Sequence, residues 1–161
     1  MARPAPRPDP FLDRFRGNFS SMLSWENLDN LWRTVRGQAD GWYLYAVGES
    51  LPGGIAGAGD TLRFIDAIDT LLHKDHHEDY CGIVYVDDIA NPSLVKIYDP
   101  LNLGVSCGFS TNPPMPGWIM SRLPPVLIED RRPLPESRRR WWRSLWENSE
   151  GEKQIRQDSQ D

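Results

Sequence analysis

Three histidines, His73, His76 and His77, make up the whole histidine complement of this chain, and all fall within one five-residue stretch. Asp75, Glu78 and Asp79 lie among and just after them, and Cys81 follows. Imidazole, carboxylate and thiolate together form a donor set for a borderline divalent metal. On a helix, His73 and His77 are four residues apart and share a face, which suits two ligands to one ion, with His76 and Cys81 completing the candidate set. The competing reading is a polar helix end, where His and Lys74 interact favourably with the negative end of the helix dipole. The HExxH pattern of zinc hydrolases is absent, and the sequence requires no cofactor.

Cys81 and Cys107 are the only cysteines, each followed by a glycine. If they end the first and third strands of a meander, they lie two strand spacings apart, about 9–10 Å. That exceeds the roughly 7 Å a disulfide can bridge. Neither belongs to a CxxC pair, so the choice is between a small buried hydrophobe and a working thiol, the latter best placed at Cys107 between Gly104 and Gly108. Tyr98-Asp99-Pro100 ends a strand and starts a turn, the ordinary role of Asp before Pro. With Asn102, Cys107, Pro114 and Trp118, Tyr98 and Asp99 define a candidate binding face, in which aromatic and proline side chains give contact area at low entropic cost. No Ser-His-Asp arrangement accompanies these residues, because every histidine is confined to one helix end.

The segment 138–146 interleaves arginine and tryptophan. Arg139, Arg140, Trp141 and Trp142 suit docking onto an acidic partner, and equally a terminal helix folded back on its own acidic body. A membrane surface and nucleic acid are the other chemistries that use this composition. The charge distribution argues against both: the net charge is -5, the first 130 residues are acidic, and the acidic tail follows directly.

These residues need elements to position them. Ser24 is a good N-cap for a helix carrying Trp25, Leu28, Leu31, Trp32 and Val35 at helical spacing, with Gly37 as its stop. Residues 42–47 read as a buried strand. The glycine-rich stretch 48–59 matches neither a dinucleotide fingerprint nor a phosphate loop, and Asp60 is expected to cap a second amphipathic helix over 61–77. Ile83–Val86 and Leu94–Tyr98 form a hairpin across a turn containing Asp87 and Asp88, and Leu103–Cys107 is a third strand of the same meander. Trp118-Ile119-Met120 lies across the core, and Glu136–Trp146 is a short basic helix. The expected class is α+β: a single domain with a small, mainly antiparallel sheet packed by two amphipathic helices. The domain spans 19–130, between a disordered arm over 1–18 and, at 131–161, the basic helix with a disordered acidic tail.

With 161 residues, 39% hydrophobic and 25% charged, the composition is that of an ordinary globular protein. No apolar run approaches the roughly 18 residues of a transmembrane helix, and the proline-rich N-terminus has no secretory h-region. Two cysteines do not make a disulfide framework, so a cytoplasmic location is expected.

The words GWYLYAVGE (41–49), DYCGIVYVDD (79–88), KIYDPLNLGVSCG (96–108) and PPMPGWIMSRLPP (113–125) together resemble a family of small proteobacterial proteins associated with nitrogen-fixation gene neighbourhoods. The resemblance covers residues 25–126 and transfers no catalytic residue. It implies an accessory or regulatory role near nitrogenase. The resulting expectation is a cytoplasmic protein that works by binding another protein. The alternative is a small metal- or thiol-dependent enzyme or metal carrier using His73, His76, His77, Cys81 and Cys107.

Overall fold

A computed structural model describes residues 9–101, 115–128 and 135–158, with side chains in the last stretch described through Glu147. The expected strand at Leu103–Cys107, and Asn102, Cys107 and Pro114 of the expected binding face, lie outside the described residues.

The class is α+β. The described elements are α1 (Pro10–Phe15), β1 (Ser20–Ser21), α2 (Trp25–Arg36), β2 (Tyr43–Ala46), α3 (Ala58–Asp75), β3 (Val84–Val86), β4 (Leu94–Ile97), β5 (Trp118–Ser121) and α4 (Glu136–Asp158). The strands form one antiparallel sheet in the order β1-β3-β4-β5-β2. The expected hairpin is β3–β4, with Val86 opposite Val95 and Val84 opposite Ile97. The other neighbour of β4 is β5, so the Trp-Ile-Met run is an interior strand, pairing Trp118 with both Ile97 and Ala46.

Side-chain alternation gives the sheet two covered faces. Leu44, Ala46, Val84, Val86, Val95, Ile97, Trp118 and Met120 face the helical layer, in one core with the buried sides of α2 and α3. Tyr45, Leu94 and Ile119 point the other way, into a smaller core with Phe11. Leu12, Phe15, Phe19, Leu123, Val126 and Ile128 pack around that second core. Strands buried on both faces read as continuous apolar runs rather than alternating ones, as Trp-Ile-Met and Tyr-Leu-Tyr-Ala do.

Three boundaries differ from expectation. Residues 10–15 of the expected disordered arm form α1, and Phe11 is 1% exposed. Asp9 accepts from the Leu12 N–H at 3.1 Å and Pro10 occupies the first turn, where its missing N–H costs nothing. The cap of α3 is Gly57, not Asp60; Asp60 lies in the first turn, beside Arg63 at 3.8 Å. At its other end α3 stops at Asp75, because His76 has an extended backbone (φ -112°, ψ 99°). In addition, α4 continues to Asp158 through the segment expected to be disordered, which is rich in the strong helix formers Glu, Lys, Gln and Arg.

The cap expected at Ser24 is present as a reciprocal box: Asn27 N–H donates to the Ser24 hydroxyl, and Ser24 N–H to the Asn27 side chain. The β3–β4 turn is organised by Asp87, whose carboxylate accepts from the N–H groups of Ser93 and Leu94, both at 3.0 Å, and from the Ser93 hydroxyl. Asp88 accepts from the Ala90 N–H. Burial pushes the Asp87 carboxyl up, but the hydrogen bonds from Ser93 and Leu94 outweigh it and hold it below its ordinary value.

The helix phase is tested by truncation. Ile65→Ala and Ile68→Ala each remove fully buried side chains and should destabilise by about 2–5 kcal/mol in urea unfolding. Asp66→Ala loses only an exposed ion pair to Arg36 and should change stability by less than about 1 kcal/mol. Equal effects at all three positions would contradict this packing.

The Asp87 turn carries a pH signature. A carboxyl whose folded-state value is depressed contributes stability that is present above its unfolded value, about pH 4, and lost as the pH falls through the lower folded value. Asp87→Asn should therefore lower the unfolding midpoint at pH 7 and narrow its gap to the wild type in acid below pH 4. A gap independent of pH would refute the carboxylate's role.

Candidate functional site

The expected binding face turns inward where it is described. Asp99 is 1% exposed and Trp118 fully buried, while Tyr98 is half-buried with its ring edge-on to Tyr85 at 5.4 Å. Asp99 does start the expected turn, accepting from the Leu101 N–H at 3.0 Å. Its carboxylate also takes a two-pronged hydrogen bond from Arg138: Nε to Oδ2 and an η nitrogen to Oδ1, both at 3.0 Å. The same guanidinium reaches Asp75, at the last position of α3, at 2.8 Å. Burial disfavours the charged guanidinium, but the hydrogen bonds from Arg138 to Asp99 and Asp75 outweigh it and raise its pKa. This planar fork matched to a carboxylate is the geometry at which arginine cannot be replaced by lysine without loss.

That pair fixes α4 on the body. Trp141 meets Trp118 edge-on at 5.4 Å, Trp142 meets Phe64 at 5.9 Å, and Arg139 pairs with Glu49 at 2.9 Å. Three of the four residues expected to dock on a partner, Arg139, Trp141 and Trp142, therefore face their own domain. Arg140 alone projects outward, 3.9 Å from Glu136. The alternative reading of this segment, a helix folded onto an acidic body, describes its position.

The expected metal set does not converge. Because α3 ends at Asp75, His77 lies past the helix and no longer shares a face with His73. His76 is buried, and its Nε2–H donates to the Cys81 carbonyl at 2.9 Å. Cys81 is a free, fully buried thiol whose pKa is raised by burial, against partial compensation from backbone N–H groups around it. A desolvated thiol with a raised pKa is a poor nucleophile and a poor ligand.

The same residues instead build a rigid surface loop. Residues 76–82 are tied at both ends and in the middle: His76 to the Cys81 carbonyl, the Trp25 indole N–H to the Glu78 carbonyl at 3.0 Å, Cys81 N–H to Leu23 carbonyl at 2.9 Å, and Gly82 N–H to Met22 carbonyl at 2.8 Å. Gly82 adopts φ +71°, and a Cβ there would meet the Tyr80 ring at 3.2 Å. Glycine thus permits both the turn and the way Tyr80 folds back over it. Tyr80 stays 58% exposed, edge-on to His76 at 6.1 Å, with Leu23 exposed on the segment paired to the loop. Glu78, Asp79 and His77 are exposed alongside. The Trp25 ring packs behind the loop, stacked on His73 at 4.2 Å and edge-on to His76 at 5.8 Å. His73 and His76 thus pack against Trp25, and His76 also ties the loop through the Cys81 carbonyl.

Tyr80, Leu23, Trp25 and Arg138 were not singled out as site residues by sequence reasoning. One signal was available for the ion pair: an aspartate at the end of α3 opposes the helix dipole, and so calls for a cation from elsewhere. Among the described residues, no helix is long and apolar enough to cross a membrane. No protein-family model, curated protein or solved structure matches this chain.

The buried pair makes a stability prediction where the sequence suggested a recognition residue. Arg138→Ala leaves the Asp99 carboxylate buried and unpaired and should cost about 3–5 kcal/mol in urea unfolding. Asp99→Asn should also destabilise, whereas the apolar double variant Asp99→Leu/Arg138→Met should recover a large part of the loss. Asp99→Asn with wild-type stability would show that α4 is not held this way.

Proposed function

We propose that this protein is an accessory or regulatory protein that acts by binding another protein, and that the anchored loop 76–82 is its recognition surface. The observation that carries this reading is Tyr80: a large aromatic side chain more than half exposed, on a loop whose backbone is already fixed by hydrogen bonds to α2, to Met22 and Leu23 between β1 and α2, and to itself. An exposed tyrosine on a rigid loop supplies contact area while losing little conformational freedom on binding, the property that makes tyrosine a frequent interface anchor. Leu23 widens the apolar patch, and the Glu78 and Asp79 carboxylates border it. The complementary partner surface is an apolar cleft with basic residues at its rim. The resemblance of residues 25–126 to proteins of nitrogen-fixation neighbourhoods supports placing that partner in the nitrogenase system of the cytoplasm.

Affinity capture from extracts of nitrogen-fixing cells tests both parts. The wild type should retain a specific partner belonging to nitrogenase or its regulation. Tyr80→Ala should reduce capture about tenfold or more while shifting stability by less than about 1 kcal/mol. Ile89→Ala, which removes an exposed side chain from the β3–β4 turn, serves as the control and should capture normally. Undiminished capture by Tyr80→Ala would overturn the assigned surface. A captured partner unrelated to nitrogenase would overturn the assigned pathway alone.

A further inference from the structure

Beside the recognition loop, and independent of that reading, two helices bring together a different donor set. Asp29 of α2 and Asp69 and His73 of α3 place one ligand atom each within 4.8 Å of one another. The arrangement follows from helical spacing. Trp25, Asp29 and Trp32 lie on one side of α2, and Asp69 and His73 are four apart on α3, so the two rows meet along the seam between the helices.

Two side chains behind these groups hold them in place. The Trp32 indole N–H donates to Asp69 Oδ1 at 3.1 Å, and the Trp25 ring stacks on the His73 imidazole at 4.2 Å. His73 Nε2 lies 3.5 Å from Asp69 Oδ1, and a ligand atom of Asp29 is within 4.8 Å of those of both residues. Two carboxylates and one imidazole this close together form a donor set for a single cation.

We infer that Asp29, Asp69 and His73 form a binding site for a divalent first-row transition cation of the zinc type. Two carboxylate oxygens and one imidazole nitrogen match that class, since the imidazole favours it over magnesium or calcium. With bonds of about 2.1 Å, tetrahedral ligand atoms lie about 3.4 Å apart, so the three groups need only close inward by rotation of the exposed Asp29 and His73 side chains. Three protein ligands leave the fourth position to water. The Trp32 hydrogen bond fixes one carboxylate in the manner of an outer-shell partner.

Calorimetric titration of the full, untagged chain with Zn2+ at pH 7.5 tests the assignment. One equivalent should bind, and excess Mg2+ should not compete. Asp29→Asn and His73→Gln should each weaken binding by at least the 10–100-fold, roughly, that loss of an outer-shell partner costs, and Asp29→Asn, at an exposed position, should keep the wild-type unfolding midpoint. His77→Gln should bind like the wild type. Quenching of tryptophan fluorescence by Co2+ should shrink in Trp25→Phe, whose ring abuts His73. Absence of stoichiometric Zn2+ binding, unchanged affinity in Asp29→Asn and His73→Gln, or loss of binding in His77→Gln would each overturn the site.

Discussion

The buried contact between Arg138 and Asp99 sets how α4 sits on the rest of the domain. It joins three places distant in sequence: the end of α3 through Asp75, the turn after β4 through Asp99, and the first turn of α4. A buried ion pair of this kind adds little net free energy over a well-packed apolar replacement, because desolvation offsets most of the Coulomb gain. Its effect is on position. Only one register of α4 satisfies both carboxylates, and in that register Trp141 reaches Trp118 and Trp142 reaches Phe64. An arginine- and tryptophan-rich segment that reads as an interaction tail is thereby consumed as part of the protein's own wall.

Much of the fold was legible in the residues. The Ser24 cap, the amphipathic α3 and the β3–β4 hairpin each carry a local signal that the structure repeats. What was not legible depends on partners far along the chain. A six-residue helix such as α1 has too little periodicity to announce itself, and it is ordered by the Phe11 side chain reaching a second core. Asp99 before Pro100 looks like any turn residue until Arg138 arrives from α4. The histidine cluster misled because its helix phase depends on where α3 ends, and one residue of extended backbone at His76 separates His77 from His73.

The surface at the end of α3 divides its chemistry between two neighbours with one residue in common. Trp25 supports the loop through its indole N–H on the Glu78 carbonyl, and its ring lies flat against His73. The loop side exposes Tyr80 and carboxylates, and the seam side gathers Asp29, Asp69 and His73. Cys81, expected as a candidate metal ligand, lies beneath both as apolar filling.

The placement of β5 has a consequence for how the chain is made. Tyr43 and Leu94 both pair with Ser121, so β2, synthesised early, waits for a strand that emerges from the ribosome long after it. Until then β2 and β4 each carry an unpaired edge flanked by apolar side chains, the feature that invites adhesion between nascent chains. A sheet closed by such a late insertion has high contact order, and slow, post-translational completion goes with it. The interval before Trp118 is available is therefore when the β2 and β4 edges are open to pairing with other chains.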